Sequence, residues 1–219
     1  MDVTIVASGS KGNCYVFTDV SGRQLIVECG VKSSLIIQNT KMSKVDACFI
    51  SHAHNDHSLS RDFLAEYVPI FDENNLQDGK MITIGNWKVL PIKAYHTVEC
   101  FSFMIVNTKE RKKVLFVTDT RHINPNIADT PLDCALIEAN YSLQYVVENF
   151  EKVTNFGYKN HLSIESVCEW LDSRQFKPNN LVLIHLSQSG NIEPTRALEA
   201  VRERIPTAEL ASQNLRITV

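Results

Sequence analysis

The heptapeptide Ser51-His52-Ala53-His54-Asn55-Asp56-His57 constrains this chain more than any other feature. It holds three imidazoles and a carboxylate within six consecutive residues, and it ends a mostly apolar run, residues 46–51, that reads as a buried strand. Only 7 of the 219 residues are histidine, so three in one hexapeptide is not an accident of composition. His52 and His54 project the same way from an extended segment or tight loop, and Asp56 and His57 follow after a turn, where they can face a second ion. Imidazole and carboxylate donors suit Zn²⁺ and also Mn²⁺ or Fe²⁺; with no thiol among them, a structural zinc finger is disfavoured.

The frame around this cluster is a soluble α/β protein. Residues 3–7, 14–18 and 24–27 are short β-prone runs punctuated by Gly9, Gly12 and Gly22. Residues 87–94, 100–108 and 113–118 read as further strands, with Lys109-Glu110-Arg111-Lys112 as a polar hairpin turn. The second half alternates: a buried strand at 133–138, a helix over 143–152, and an amphipathic helix over 163–174. That last helix carries Ile164, Val167, Trp170 and Leu171 on one face and Ser163 as its cap. A strand at 181–184 precedes a helix opened by Pro194, with Leu198, Val201 and Ile205 on its inner stripe, and residues 215–219 close as a strand. Two strand-rich halves, each followed by helices, predict two sheets packed face to face with helices outside, a four-layer αβ/βα sandwich in one domain spanning 1–219.

The segment His52-Ala53-His54-Asn55-Asp56-His57 fits the H-x-H-x-D-H signature, and the chain resembles the metallo-β-lactamase-fold hydrolases along essentially its whole length. The resemblance implies that His96, where a strand ends, is the third histidine of a first metal site. It implies that Asp119 in Phe116-Val117-Thr118-Asp119 is the bridging carboxylate and His185 in Leu183-Ile184-His185 the last ligand of the second site. The family carries Asp at the end of an early strand; here Glu28 stands there, in Val27-Glu28-Cys29-Gly30, and is expected to orient the ligand loop with one extra methylene of reach. His122 is the one histidine outside the set.

Three further segments bear on the branch of the family. Asn160-His161-Leu162-Ser163, just before a helix, resembles the phosphodiesterase branch that includes tRNase Z-like enzymes, where such a histidine protonates the leaving oxygen. Ala135-Leu136-Ile137-Glu138-Ala139-Asn140 resembles the segment whose glutamate supports it. Ser8-Gly9-Ser10-Lys11-Gly12-Asn13-Cys14 is similar to the opening of the YycJ/WalJ-like group of single-domain exonucleases. This last run reads either as a hairpin turn or as a set of hydroxyl, amide and backbone donors, from Ser8, Ser10 and Asn13, near a phosphate.

The resemblance thus implies a dinuclear phosphodiesterase, a nuclease on DNA or RNA. A hydroxide bridging two divalent ions and oriented by Asp56 would make the attack, and His161 with Glu138 would supply the proton. The alternative is a small-molecule ester hydrolase acting on a cyclic phosphodiester, a lactone or a thioester. Lys11, Arg61 and Arg121 flank the motifs and can guide a polyanion. The stretch between Asp119 and His161 is too short for the inserted domain of β-CASP nucleases, and no Gly/Pro-rich arm of the tRNA-clamping kind is evident.

Composition sets limits on the rest. A net charge of −3 makes this a poor candidate for a protein that coats nucleic acid non-specifically, though a local basic rim still permits nucleic acid as a partner. No apolar run is long enough for a membrane-spanning helix. Residues 1–6 read as a first strand and not a signal peptide. Six scattered cysteines without a C-x-x-C pair fit reduced buried thiols better than disulfides or metal thiolates, which points to the cytoplasm. Related proteins often assemble as homodimers, but no segment marks an interface.

Overall fold

Side chains on neighbouring strand positions point to opposite faces of a sheet, and this chain fills both faces with apolar residues. A computed structural model, describing residues 1–152, 156–187 and 191–219, shows the outcome. The chain opens with β1 (Asp2–Ala7), β2 (Cys14–Thr18) and β3 (Gln24–Val27), an antiparallel meander. Next come α1 (Ser33–Asn39), β4 (Val45–Phe49), α2 (Asn55–Ser58), α3 (Arg61–Ala65) and β5 (Ile70–Phe71), with β4 and β5 added in parallel beside β3. The second sheet begins with β6 (Ile82–Ile84), β7 (Trp87–Lys93), β8 (Phe101–Asn107) and β9 (Lys112–Val117), all antiparallel neighbours.

After β9 the topology changes. β10 (Cys134–Glu138) lies parallel to β9, and α4 (Leu143–Glu148) and α5 (Ile164–Ser173) lead to β11 (Asn180–Ile184), parallel to β10. α6 (Pro194–Arg202) leads to the short β12 (Glu209–Leu210), parallel to β11. The last strand, β13 (Leu215–Thr218), returns to pair antiparallel with β1, so the first sheet runs β13-β1-β2-β3-β4-β5 and the second β12-β11-β10-β9-β8-β7-β6.

The alternation sorts three apolar layers. Leu25 and Val27 of β3 meet Phe103, Phe116 and Leu136 of the second sheet in the central core, where Trp87, Tyr15 and Phe49 are also fully buried. Ile26 faces the other way, with Cys48, Ile36 of α1 and Leu64 of α3. Ala135 and Ile137 face outward from the second sheet onto Val167 and Leu171 of α5 and Val201 of α6. The order is helix, sheet, sheet, helix, as expected.

Differences from expectation are local. The helix expected over 143–152 stops at Glu148, and residues 150–152 form a separate 3₁₀ turn. The strand expected over 46–51 runs Val45–Phe49, which frees Ile50 and Ser51 to turn toward the histidines. All six cysteines are free thiols; Cys168 is half-buried and the others are buried. No helix among the described residues is long and apolar enough to cross a membrane.

Candidate metal centre

β3, β4, β7, β9, β10 and β11 run in the same sense within their sheets, so their carboxyl ends share one edge of the sandwich. Open α/β folds bind ligands at that edge. Glu28 follows β3, Ser51 and His52 follow β4, His96 follows β7, Asp119 follows β9, Glu138 ends β10, and His185 follows β11. Glu28, Asp119 and His185 have φ of 64°, 48° and 51°. This left-handed backbone costs about 1–2 kcal/mol per non-glycine residue and turns each side chain away from its strand's course. That cost is accepted three times around one point.

The side chains form two adjoining groups. In the first, His52 Nε2 lies 2.9 Å from His54 Nδ1, and His96 Nε2 lies 3.4 Å from the same atom. In the second, His57 Nε2 lies 3.3 Å from Asp56 Oδ2, and His185 Nε2 lies 3.5 Å from it. Asp119 stands between them, with Oδ2 3.2 Å from His57 Nε2 and Oδ1 4.0 Å from His96 Nε2. All seven expected ligands are therefore brought together. Each of these two triads offers ligand atoms close enough to surround one ion.

Each imidazole is aimed by what its other nitrogen or its backbone touches. His52 Nδ1 meets Ser51 Oγ at 2.8 Å, and His96 Nδ1 meets the Asn160 carbonyl at 3.2 Å. His185 Nδ1 donates to Glu138 Oε1 at 2.9 Å, and its backbone N–H donates to Ser8 Oγ at 2.8 Å. Glu28 is fully buried, accepts from the Ser51 N–H with both oxygens at 3.2 Å, and reaches within 3.4 Å of His57 Nδ1. The longer side chain at this position thus spans the first residue of the ligand loop and its last histidine. Gly30 lets that loop seat: a Cβ there would stand 1.7 Å from the Asp56 carbonyl oxygen.

The electrostatics fit bound cations. Burial, reinforced by His57, pulls His52 down to about 2, and burial lowers His96 as well, so both are neutral imidazoles as metal ligands must be. Burial works against a charge on His185, but Asp119, Asp56 and Glu138 outweigh it and push it up to about 10. The carboxylates on that side demand positive charge. His185 Nε2 is buried without a hydrogen-bond partner and faces Asp56, the position a ligand atom takes toward an ion.

His161 adjoins this centre. Its Nδ1 donates to Glu138 Oε1 at 2.6 Å and lies 3.5 Å from Asp119 Oδ1. Burial disfavours its charge, yet Glu138 and Asp119 prevail and raise its pKa. Burial likewise opposes ionisation of Glu138, and His161 overcomes it, so Glu138 is held below the usual carboxylate range. Asp119, Glu138, His161 and His185 also lie close enough together to suggest a third ion. The two imidazole N–H groups already occupy Glu138 Oε1, so this set is a hydrogen-bonded relay. The cleft over the centre, about 280 Å³, is lined by Ser10, His54, Asp56, His96, Asp119, His161 and His185, with Asn140, Tyr158 and Asn160 among others.

The three residues expected to meet a phosphate divide. Ser10 is exposed and lines the cleft. Asn13 is fully buried and committed inward: Oδ1 accepts from the Gly9 N–H at 2.9 Å, and Nδ2 donates to the Gly9 and Asp56 carbonyls at 3.1 and 3.2 Å. Ser8 is half-buried, bonded to Tyr15 Oη and to the His185 backbone. These two residues hold the centre's frame because the loop packs on the ligand segment, leaving no free donor for a substrate. Of the flanking cations, Arg61 is paired with Asp72 at 2.6 Å and Asp62 at 3.1 Å, and Arg121 donates twice to Asn160 Oδ1. His122 is exposed and stacked on Tyr95 at 4.0 Å. Sequence reasoning missed Ser51, Asn140 and Asn160: Ser51 and Asn160 were signalled only by standing next to His52 and His161, and Asn140 by standing two residues after Glu138. Asn160 reaches His96 through its backbone carbonyl, which any residue type offers.

No protein-family model matches the sequence, and no curated protein matches it significantly. Solved structures do match. The metallo-β-lactamase fold protein YhfI from Bacillus subtilis superposes with a TM-score of 0.80 at 16% identity, over 99% of this chain and 98% of that one. Zn²⁺-bound PqqB from Methylobacterium extorquens gives 0.72 at 12% identity, over 100% of both chains. Human tRNase Z, short form, gives 0.64 at 17% identity, over 100% of this chain and 99% of that one. The chain has the metallo-β-lactamase fold.

Proposed function

We propose that this chain is a dinuclear-metal phosphodiesterase that shortens DNA or RNA as an exonuclease. The observation that carries the reading is the Glu138–His161 pair: an imidazole 2.6 Å from a buried carboxylate, standing at the rim of the metal centre beside Asp119. An alkoxide is a poor leaving group and gains from a positioned proton, whereas a thiolate leaves without one. A raised, carboxylate-supported histidine in the cleft therefore favours phosphoester over thioester chemistry. The shared fold with human tRNase Z, a nuclease by its name, supports the same chemistry.

His52, His54 and His96 would hold one divalent ion and Asp56, His57 and His185 the other, with Asp119 between; two zinc ions there would supply Lewis acidity toward phosphoryl oxygens and lower the pKa of water. The protein's own residues do the rest. Asp56, on the cleft wall, orients the attacking water by accepting its hydrogen bond. The water loses one proton to solvent as its oxygen bonds phosphorus, the P–O bond to the leaving oxygen breaks, and His161 delivers its Nε2 proton to that oxygen. The products are an alcohol end and a phosphate monoester. Glu138 keeps Nδ1 protonated throughout, so the proton is given up from Nε2 alone.

The test incubates zinc-reconstituted protein with end-labelled single- and double-stranded DNA and RNA, beside His161→Ala. Progressive shortening by the wild type, impaired in the variant, supports the proposal. Intact polymers in the presence of a metal-loaded protein would overturn it and redirect the search to cyclic phosphodiesters, lactones and thioesters.

A further inference from the structure

The loop of residues 8–12 has two sides. Ser10 faces the catalytic cleft, while Ser8, Lys11 and Gly12 form a wall of a second, larger groove of about 530 Å³. Lys32, residues of α1, Ser212 and Gln213 also line it. Lys11, Lys32, Ser34, Gln38, Ser212 and Gln213 are all exposed, and Val31 and Leu35 make an apolar floor beside the exposed Leu59. No acidic residue lines the groove. Neither lysine forms an ion pair among the described residues, in contrast to Arg61, which two aspartates neutralise. In a chain of net charge −3, a groove with two unpaired cations and no anion departs from the general surface.

From this groove we infer a binding site for the phosphodiester backbone of a single nucleic-acid strand, continuous with the catalytic cleft across the loop of residues 8–12. The inference rests on the phosphodiesterase reading and deepens it. The cleft itself is small, so a strand with one phosphodiester at the metal centre must run out over the surface. Lys11 and Lys32 take its phosphates, the amides and hydroxyls of Gln38, Ser34, Ser212 and Gln213 take sugar and phosphate oxygens, and the apolar floor lies beneath the sugar and base edges. Cationic grooves that track a backbone in this way bind single strands with little dependence on sequence. An acidic peptide carries its carboxylates only where its sequence places them, whereas a nucleic-acid strand presents a phosphate at every nucleotide, in step with two lysines along one groove.

The test is Lys11→Ala/Lys32→Ala, with binding of labelled single-stranded DNA and RNA oligonucleotides followed by fluorescence anisotropy in chelator, across a salt series. Both residues are exposed, and an unchanged melting temperature checks the fold. Each phosphate contact on a single strand contributes about 0.7 to the slope of log K against log salt, so the double variant should lose about 1.4 from that slope. In zinc-loaded protein, KM should fall as the substrate lengthens, and the variant should lose that gain. An unchanged slope, an absence of oligonucleotide binding by the wild type, or equal binding of polyglutamate would each overturn the site. Turnover of a small diester by the wild type reports on the phosphodiesterase reading separately, so the two can fail independently.

Discussion

Glu138 Oε1 lies 2.6 Å from His161 Nδ1, and the same oxygen takes a second hydrogen bond, at 2.9 Å, from His185 Nδ1. One buried carboxylate oxygen therefore holds the proposed proton donor and a candidate metal ligand at once. Removing His161 separates the two roles. His161→Ala should keep its full complement of metal, because His161 is not among the two ligand triads. Hydrolysis of unactivated phosphodiesters should slow by about 10²–10⁴-fold. Nitrophenyl diesters, whose leaving group needs no proton, should be much less affected. Equal loss on both substrate types, with metal content unchanged, would remove the proton-donor role.

Glu138→Gln should fail in a different way. The amide cannot support a protonated His161, and it weakens the aim of His185. Loss of a partner behind a metal-bound histidine typically costs about 10–100-fold in metal affinity. A competitive chelator titration should show that drop for one ion and not for both, since His52, His54 and His96 do not touch Glu138. Wild-type affinity for both ions would sink the shared-oxygen account.

Asp119 sits within 3.2 Å of the second group and 4.0 Å of the first, and Thr118 Oγ1 donates to its Oδ2 at 2.6 Å. Asp119→Ala should bind fewer than two ions per chain by elemental analysis and lose nearly all turnover. Full metal content with full activity would refute a centre that Asp119 bridges.

Much of this was legible in the sequence, and the reason is physical. The candidate ligands crowd into one hexapeptide or stand at the ends of apolar strands, and strands buried on both faces read as short continuous apolar runs, as at Leu25, Ile26 and Val27. α1 was not legible, because it is seven residues long and has no side-chain cap, and β5 and β12 have only two residues each. The inward commitment of Ser8 and Asn13 is hidden in the sequence for another reason. Their polar groups suit a phosphate in composition, but the loop folds onto the ligand segment: Asn13 Nδ2 donates to the Gly9 and Asp56 carbonyls, and Ser8 Oγ is taken up by Tyr15 Oη and the His185 N–H. Burial of a polar side chain cannot be read from a turn-like sequence. The helix over 143–152 ran too long because Asn149 ends it, its Nδ2 turning back onto the Tyr145 carbonyl.

Gly30 supports a prediction about the frame alone. The Cys29 N–H donates to the His57 carbonyl and the Gly30 N–H to the Asn13 carbonyl, so three segments meet where Gly30 has no side chain. A Cβ there would press on the Asp56 carbonyl at 1.7 Å and the His57 nitrogen at 2.5 Å, backbone atoms that cannot swing aside. Gly30→Ala should cost about 1–3 kcal/mol, as overpacking does, and lower the melting temperature by roughly 2–12 °C. The displaced helix α2 should also weaken metal binding. A variant with wild-type melting temperature and metal affinity would show that the loop relaxes freely.

Asp19 offers a prediction in pH, well away from the metal centre. Burial acts to raise its carboxyl, but hydrogen bonds from Ser21 Oγ, Asn86 Nδ2 and the Arg23 and Ser21 N–H groups prevail and bring it down to about 2. A group whose folded pKa is depressed contributes stability above its unfolded pKa, about 3.9, and loses it as pH falls through the folded value. Asp19→Asn abolishes the charge at every pH. The difference in unfolding free energy between wild type and variant should therefore be on the order of 2 kcal/mol above about pH 5 and should shrink steadily between about pH 4 and 2. Denaturant titrations in chelator across that range measure it, and subtraction of the two proteins cancels the other carboxylates. A difference that stayed constant with pH would mean that Asn86 and Ser21 recognise the shape of the side chain and not its charge.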